Sequence, residues 1–239
     1  MRTAIYIDGF NLYYWLKPLP YRWINLRELA LRAITKPDKP APNLVALKYF
    51  TARVRDTADD PRKSTRQDVY IQALKATIPE LSIYYGEFRR KMKLMPRVMY
   101  NGGVGPMVHV WHTEEKGSDV NLAVELLNDA WADLYDVAIV VSNDSDLVRA
   151  VRLARARGKI IGALVRGDAE VNSLKSEATF IARLKAKHLF PSLLPRQIPG
   201  TNLRIPEEWE RRELDAGIRR NQQGAIASES LHPQGEKHG

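Results

Sequence analysis

The chain contains no cysteine among its 239 residues. This absence excludes a disulfide framework, a thiolate zinc site, an iron–sulfur cluster and a cysteine nucleophile. The chain also lacks any apolar run near the ~20 residues that a membrane-spanning helix needs, so no membrane partner is expected. Residues 3–7 already read as a strand rather than as a signal peptide, which predicts a cytoplasmic protein.

Positive charge is in excess. Lys and Arg total 37 and Asp and Glu total 28, which gives a formal net charge of +9. Such an excess favours a polyanionic partner, but charge alone does not choose between nucleic acid, an acidic protein and mere solubility.

Short apolar runs rich in β-formers alternate with helical patterns over most of the chain. The runs that predict strands are residues 3–7, 44–52, 81–85, 137–141 and 159–165. Because these runs lack polar alternation, they predict an α/β fold in which a parallel sheet is covered by helices on both faces. Residues 92–99 and 107–111 flank Asn101-Gly102-Gly103, which predicts a small hairpin.

Two helix starts are readable. Asn25, with Glu28 three residues later, resembles a capping box. Ser118 is predicted to cap a long helix that runs to residue 134. The face predicted to be buried on that helix carries Val120, Ala123, Val124, Leu127, Ala130, Trp131 and Leu134.

The pattern weakens toward the C-terminus. We predict one domain over residues 1–195 and a C-terminal extension over residues 196–239. Residues 206–220 are predicted to be helical, and the polar residues that follow are predicted to be disordered.

Acidic residues follow the predicted strands. Asp8 ends the first strand, Asp144 and Asp146 follow the strand at residues 137–141, and Asp119 lies in the first turn of the long helix. Ligands of open parallel sheets bind beyond the carboxyl ends of the strands, so the four carboxylates can converge if those two strands are neighbours. Clustered carboxylates need compensating cations, and oxygen ligands suit Mg²⁺ or Mn²⁺.

Other polar residues accompany these acids. Asn11, Ser142 and Asn143 can orient water or phosphate, and Lys116 can neutralise charge beside Asp119.

A structural explanation of the acids is open as well. An Asp at a strand–helix junction is often only an N-cap, and Asp119 and Asp146 also gain from the helix dipole. Asp8 is the hardest to explain in this way, because Gly9-Phe10 does not read as a helix start.

Basic residues fall in two groups. Arg89, Arg90, Lys91, Lys93 and Arg97 form a run without an intervening acid, and Arg149, Arg152 and Arg155 can line one helix edge. The planar fork of Arg binds two phosphate oxygens, although solvated faces explain such groups equally well. The residues predicted to contact nucleic acid are Arg89, Arg90, Lys91, Lys93, Arg149 and Arg152.

Three segments, residues 6–12, 115–123 and 141–147, together resemble the NYN domain family, bacterial relatives of PIN-like ribonucleases that include LabA-like proteins. The resemblance covers residues 1–195. It implies a Rossmann-like PIN fold, an acidic pocket that binds Mg²⁺ or Mn²⁺, and metal-dependent cleavage of RNA. By motif, the metal ligands are Asp8, Asp119, Asp144 and Asp146, and the catalytic set also includes Asn11, Lys116, Ser142 and Asn143. Family patterns often have Gly at the position of Asn143.

Other functions compete with that of a ribonuclease. A noncatalytic RNA-binding or regulatory module can use the same fold, but a pure binder of a polyanion gains nothing from four acids in its groove. Toprim enzymes expect Glu at the position of Asp8, and haloacid-dehalogenase phosphatases expect an acid at the position of Phe10. Exposed aromatic residues or the hairpin can support a homodimer.

Overall fold

The computed structural model describes residues 1–35, 40–166 and 173–210. The strands are Arg2–Asp8 (β1), Asn43–Ala52 (β2), Leu81–Val98 (β3), Val104–Lys116 (β4), Val137–Val141 (β5), Ile160–Arg166 (β6) and Phe180–Leu184 (β7). The α-helices are Gly9–Leu16 (α1), Leu26–Ile34 (α2), Lys63–Thr77 (α3), Ser118–Trp131 (α4), Val148–Ala156 (α5), Ser173–Glu177 (α6) and Ala186–Leu189 (α7). Short 3-10 helices cover Ser145–Leu147 and Phe190–Ser192.

The strands form one seven-stranded sheet in the order β4-β3-β2-β1-β5-β6-β7. All neighbours are parallel except β3 and β4, which form the predicted hairpin. β1 pairs directly with β5, with Ile7 opposite Val141. This pairing brings the ends of the two strands that carry Asp8 and Asp144 side by side, as the acidic cluster requires.

Helices cover both faces of the sheet, as predicted. Ile5 and Ile7 of β1 pack with α1, α2, α3 and α7, whereas Ala4 and Tyr6 pack with α4, α5 and α6. The alternation follows from the pleat of a strand, which sends successive side chains to opposite faces. β1 is buried on both faces from Thr3 onward, and its residues from Ala4 to Ile7 are apolar, up to Asp8 at its end.

The first part of the predicted C-terminal extension packs on the same core. Ile198 and Ile205 are buried among the side chains of the α2 face. The Trp209 ring lies 6.4 Å from that of Trp23 and 5.9 Å from that of Tyr70. Residues 207–210 are helical, and residues 211–239, which include the rest of the predicted helix and the tail, lie outside the described residues.

The sequence-based prediction for α4 is wrong in two respects. The helix begins at Ser118 with Gly117 as its N-cap at φ +99°, a backbone conformation that glycine adopts without steric cost. It ends at Trp131 and buries Leu122, Leu126, Asp129 and Ala130, whereas most of the face predicted to be buried is exposed. Apolar residues occur on all sides of this helix, so their spacing in the sequence does not identify the face that is buried.

A buried network of ion pairs and hydrogen bonds connects α4 to the sheet. Lys48 Nζ lies 2.6 Å from Glu125 Oε2 and 2.7 Å from Asp129 Oδ2. The Tyr6 hydroxyl donates to Asp129 at 2.5 Å and the Tyr84 hydroxyl donates to Glu125 at 3.0 Å. Burial by itself lowers the pKa of Lys48, but the hydrogen bonds to the two carboxylates leave that pKa above its ordinary value. Three strands and α4, which carries Asp119, are therefore held in one arrangement.

Over the residues that the structure describes, no helix is both long enough and apolar enough to cross a membrane.

Candidate functional site

The buried carboxylate of Asp8 forms the floor of the site. Its Oδ1 accepts hydrogen bonds from the backbone N–H groups of Phe10 and Asn11 at 3.1 and 3.0 Å. Its Oδ2 accepts from Asn11 Nδ2 at 2.5 Å and from Ser142 Oγ at 2.9 Å. Burial raises the pKa of Asp8, and the hydrogen bonds from Asn11 and Ser142 offset part of this effect.

The expectation that Gly9-Phe10 does not start a helix is wrong. α1 begins at Gly9, and Asp8 is its N-cap. The carboxylate oxygens of Asp8 offer about four acceptor positions, and four donors approach them. Asp8 therefore shapes the site through hydrogen bonds, and a direct bond from it to a metal would have to replace one of these donors.

Asn11 and the residues after β5 join the two strand ends. Asn11 donates to Asp8, and its Oδ1 accepts from the backbone N–H of Asn143 at 3.3 Å. Ser142 is fully buried, donates to Asp8 and accepts from the backbone N–H of Asp144 at 3.1 Å. The structure thus brings these predicted residues together, and the described contacts of Asn11 and Ser142 are with protein groups.

Asp144 and Asp146 lie above this floor. Asp144 Oδ1 accepts from the backbone N–H of Asp146 at 2.9 Å and caps the 3-10 helix Ser145–Leu147. Asp144 is half-buried and Asp146 is exposed. N-capping therefore explains Asp144 in part as well, but the capping hydrogen bond uses only one oxygen of the Asp144 carboxylate.

Asp119 completes the acidic cluster from the first turn of α4. Its pKa is raised to about 6, first by burial and then by the negative charges of Asp8, Asp144, Glu115 and Asp146. Asp119 therefore lies within electrostatic range of the other three predicted acids. The structure adds Glu115, whose carboxylate accepts from the Ser118 hydroxyl at 2.8 Å and from its backbone N–H at 3.1 Å.

The raised pKa of Asp119 predicts a pH-dependent stability. The folded carboxyl keeps its proton up to about pH 6 and the unfolded one loses it near pH 4, so the contribution of Asp119 to the stability of the metal-free protein is expected to fall as pH rises through that window. Asp119→Asn should remove this loss and stabilise the protein at pH 7 by about 1 kcal/mol, since solvent screening of a half-exposed group reduces the full value. Urea denaturation in EDTA at both ends of the window measures the effect.

The exposed Asp59→Asn serves as the matched control and should behave like wild type at both pH values. A stability change in Asp119→Asn that is the same at pH 4 and pH 7 would contradict the coupling.

The predicted basic residues are dispersed. Lys116 Nζ pairs with Glu114 Oε1 at 2.7 Å rather than with Asp119. Arg152 pairs with Glu177 of α6 at 2.7 Å, and Arg155 donates to the backbone carbonyl of the same residue. Arg149 is exposed at the start of α5, three residues after Asp146.

The pleat divides the basic run on β3. Arg89, Lys91 and Lys93 lie on one face of the hairpin, because alternate residues of a strand share a face. Arg90 lies on the other face, where its guanidinium stacks 4.4 Å from the centroid of the Trp111 ring. Arg89 forms an ion pair with Glu87. The run therefore does not form one cationic surface.

The donor set fits a hard divalent cation. The described residues hold no group of three or more His, Asp or Glu side chains already arranged around a metal position. Mg²⁺ commonly keeps several waters and binds through one or two carboxylates, which matches acids that are coupled but not in contact. Asp144 and Asp119 offer the accessible carboxylate oxygens, and Asp8 holds the strand ends beneath them.

A pocket of about 250 Å³, here called the aromatic pocket, lies next to the acids. Rings that line it include Phe10, Tyr14, Tyr49, Tyr70, Phe88 and Trp209, and its charged side chains are Arg22, Asp60, Lys63 and Arg66. Sequence reasoning missed this pocket because its residues come from five separate elements and the C-terminal segment. Sequence reasoning also missed Glu115. This acid lies at the end of β4, two residues before Gly117, and an acid at the end of a strand is the same signal that identified Asp8.

Comparison with known families confirms the resemblance to the NYN domain family. The NYN domain matches residues 2–185. A Pseudomonas putida protein named 6-hydroxy-3-succinoylpyridine 3-monooxygenase HspA is 30% identical over 237 residues, which is 87% of this chain and 75% of that protein. A crystal structure of a Vibrio parahaemolyticus protein of unknown function is similar with a TM-score of 0.48 at 16% identity, over 81% of this chain and 96% of that one.

Proposed function

The chain belongs to the NYN domain family, and from that premise we propose that it is a metal-dependent endoribonuclease that hydrolyses RNA phosphodiester bonds with Mg²⁺ or Mn²⁺. The family is nuclease-like, and the site has the chemistry that such a reaction needs.

One observation carries the proposal, namely the convergence of four carboxylates where β1, β5 and α4 meet. Asp8, Asp144 and Asp146 all raise the pKa of Asp119. Such mutual repulsion costs folding free energy, and a bound divalent cation removes it. A cap requires only one acid at each helix, so capping does not explain why all four share one site.

Each acid has a distinct task in this proposal. Asp144 and Asp119 hold the cation, Asp146 adds charge at the solvent side, and Asp8 keeps the two strand ends in register through Asn11 and Ser142. A divalent cation at such a site stabilises negative charge on a phosphoryl group and makes attack by water easier.

The RNA strand is held outside the acids. Arg149 is well placed to contact a phosphate, since it follows Asp146 on the next helix and is exposed. The Arg90–Trp111 stack offers a second contact, on the hairpin face that carries Phe88. Arg89, Lys91 and Lys93 lie on the opposite face, so they attract RNA at longer range rather than at the scissile bond.

The direct test is cleavage of single-stranded and structured RNA by the purified full chain. We expect cleavage with Mg²⁺ or Mn²⁺ and its complete loss with EDTA, because the carboxylates repel the phosphate when no cation is bound. RNA binding without cleavage under any divalent cation would instead identify a noncatalytic RNA-binding module.

The Pseudomonas relative suggests a second candidate, oxidation of a small aromatic acid. The aromatic pocket favours it, because aromatic rings beside Arg22, Lys63 and Arg66 can hold a flat, negatively charged molecule. Dioxygen uptake that depends on 6-hydroxy-3-succinoylpyridine and a reductant, without any cleavage of RNA, would replace the first candidate by this one.

A further inference from the structure

The aromatic pocket adjoins the acidic site through the first residues of α1. Gly9 and Phe10 line the pocket and directly follow Asp8 in sequence. The backbone N–H of Phe10 donates to Asp8 Oδ1 at 3.1 Å. Phe88 also lines the pocket and pairs with Glu115 of β4, so the pocket wall adjoins the acidic residues through both Phe10 and Phe88.

The walls of the pocket suit a planar ring. The Phe10 and Phe88 rings meet edge to face with centroids 5.7 Å apart, and the Tyr70 hydroxyl donates to the carbonyl of Ile24 at 2.8 Å. These contacts fix three of the rings in place. Tyr14 is 63% exposed and meets the Tyr13 ring edge to face with centroids 5.6 Å apart, so its outer face is accessible to a ligand. Aromatic walls stack on any flat π-system, which every nucleobase provides.

The charged groups of the pocket favour an anionic ligand, but its side-chain amide is not free to form hydrogen bonds with the edge of a base. Arg22, Lys63 and Arg66 line the pocket with one acid, Asp60, and Arg66 pairs both with Asp60 and with Glu208, whose Oε1 lies 3.4 Å from it. Both ends of the Gln67 amide are used by the backbone: Nε2 donates to the Ala52 carbonyl at 2.9 Å and Oε1 accepts from the Val54 N–H at 2.9 Å. This amide is therefore not available to distinguish one base from another.

We propose that the aromatic pocket stacks the base of the nucleotide adjacent to the phosphodiester that the acidic site holds. This inference rests on the proposed ribonuclease function and adds a substrate requirement to it. The pocket needs a base at that nucleotide but accepts any of the four, because its contacts are with the flat faces of the ring.

The first test measures binding of a fluorescent single-stranded RNA to the full chain in EDTA, where no cleavage occurs. Base stacking is worth enough that Tyr14→Ala and Phe88→Leu should each weaken binding about 10-fold. Tyr14→Phe keeps the ring and should bind like wild type. Trp131→Ala removes an equally exposed ring on α4, on the opposite face of the sheet, and should have no effect.

The second test uses RNAs of the same length that carry one abasic nucleotide, moved through every position. We expect one position at which the missing base weakens wild-type binding about 10-fold, and no further loss from Tyr14→Ala on that RNA. With Mg²⁺ added to the intact RNA, cleavage should fall next to the same nucleotide.

The outcomes separate this inference from the proposed function. Wild-type cleavage together with unchanged binding by Tyr14→Ala and Phe88→Leu overturns the base pocket and leaves the ribonuclease standing. Ring-dependent and base-dependent binding without cleavage supports the pocket and overturns the ribonuclease. Absence of RNA binding both in EDTA and with Mg²⁺ overturns both.

Discussion

Replacing Asp144 by Asn is expected to lower the rate of Mg²⁺-dependent RNA cleavage roughly 100-fold or more, which corresponds to about 3 kcal/mol in the barrier. The substitution removes one negative charge from the accessible side of the acidic cluster. The amide oxygen of Asn can still accept the hydrogen bond from the backbone N–H of Asp146, so the cap of the 3-10 helix is kept. Cleavage of a labelled RNA under single-turnover conditions measures the loss.

Asp144 is a sharper choice than Asp8 for this experiment. Asp8 accepts from four donors, and an Asn there would turn an amide N–H₂ toward at least one of them. A loss of activity in Asp8→Asn would thus mix misfolding of the site with loss of charge. Asp59→Asn is the matched control, and all variants should give the circular dichroism spectrum of wild type. Full activity in Asp144→Asn would remove this residue from the site.

Replacing Lys48 by Met is expected to cost about 3–5 kcal/mol of the free energy of unfolding, because it leaves buried carboxylates without their cation. Lys48 and Asp129 side chains are only 10% and 7% exposed, so water cannot take over the role of the ammonium group. Urea denaturation followed by circular dichroism measures the change, with the exposed Lys75→Met as control.

A double-mutant cycle shows whether the cost comes from the unpaired charge. Lys48→Met combined with Asp129→Asn should lose less stability than the sum of the two single variants, since each removes the partner of the other. Additive losses, or a loss in Lys48→Met below about 1 kcal/mol, the range of surface ion pairs, would show that the network does not anchor α4.

The sheet and the position of the acids were predictable because buried parallel strands leave a plain signature. The run that contains Ile5 and Ile7 is apolar after Thr3 and stops at Asp8. The run that ends at Val141 is apolar at every position and is followed by Ser142-Asn143-Asp144. The carboxyl ends of parallel strands lie at the same edge of a sheet. The acids were therefore expected to converge if β1 and β5 were neighbours, and the structure shows that they pair.

The local environment of those acids was less predictable. Helix α1 was missed at Gly9, because a glycine rarely opens a helix and the cap comes from the preceding strand residue. On α4, Val120 and Leu122 are equally apolar, yet only Leu122 faces the sheet. Which of two apolar faces is buried depends on contacts with other elements, and one helix does not contain that information.

The surface features depended most on tertiary structure. A run of basic residues reads as one patch in a sequence, but the pleat of β3 sends Arg89 and Arg90 to opposite faces. The aromatic pocket joins Phe10, Tyr49, Tyr70 and Phe88, which are distant in sequence and have no shared spacing. Features of this kind become visible only when the strand order is known.

The central position of β1 has a consequence for synthesis of the protein. Ser142 and Asp8 are 134 residues apart, and β1 has β2 on one side and β5 on the other. A nascent chain on the ribosome can pair β1 with β2 early, but the other edge of β1 waits until residues 137–141 have emerged. During that interval Asp8 lacks the Ser142 hydroxyl and the acids of the later segment, so the site stays incomplete until more than half of the chain has been made. Translation therefore completes the acidic site late, when the segment after β5 joins the acids already made.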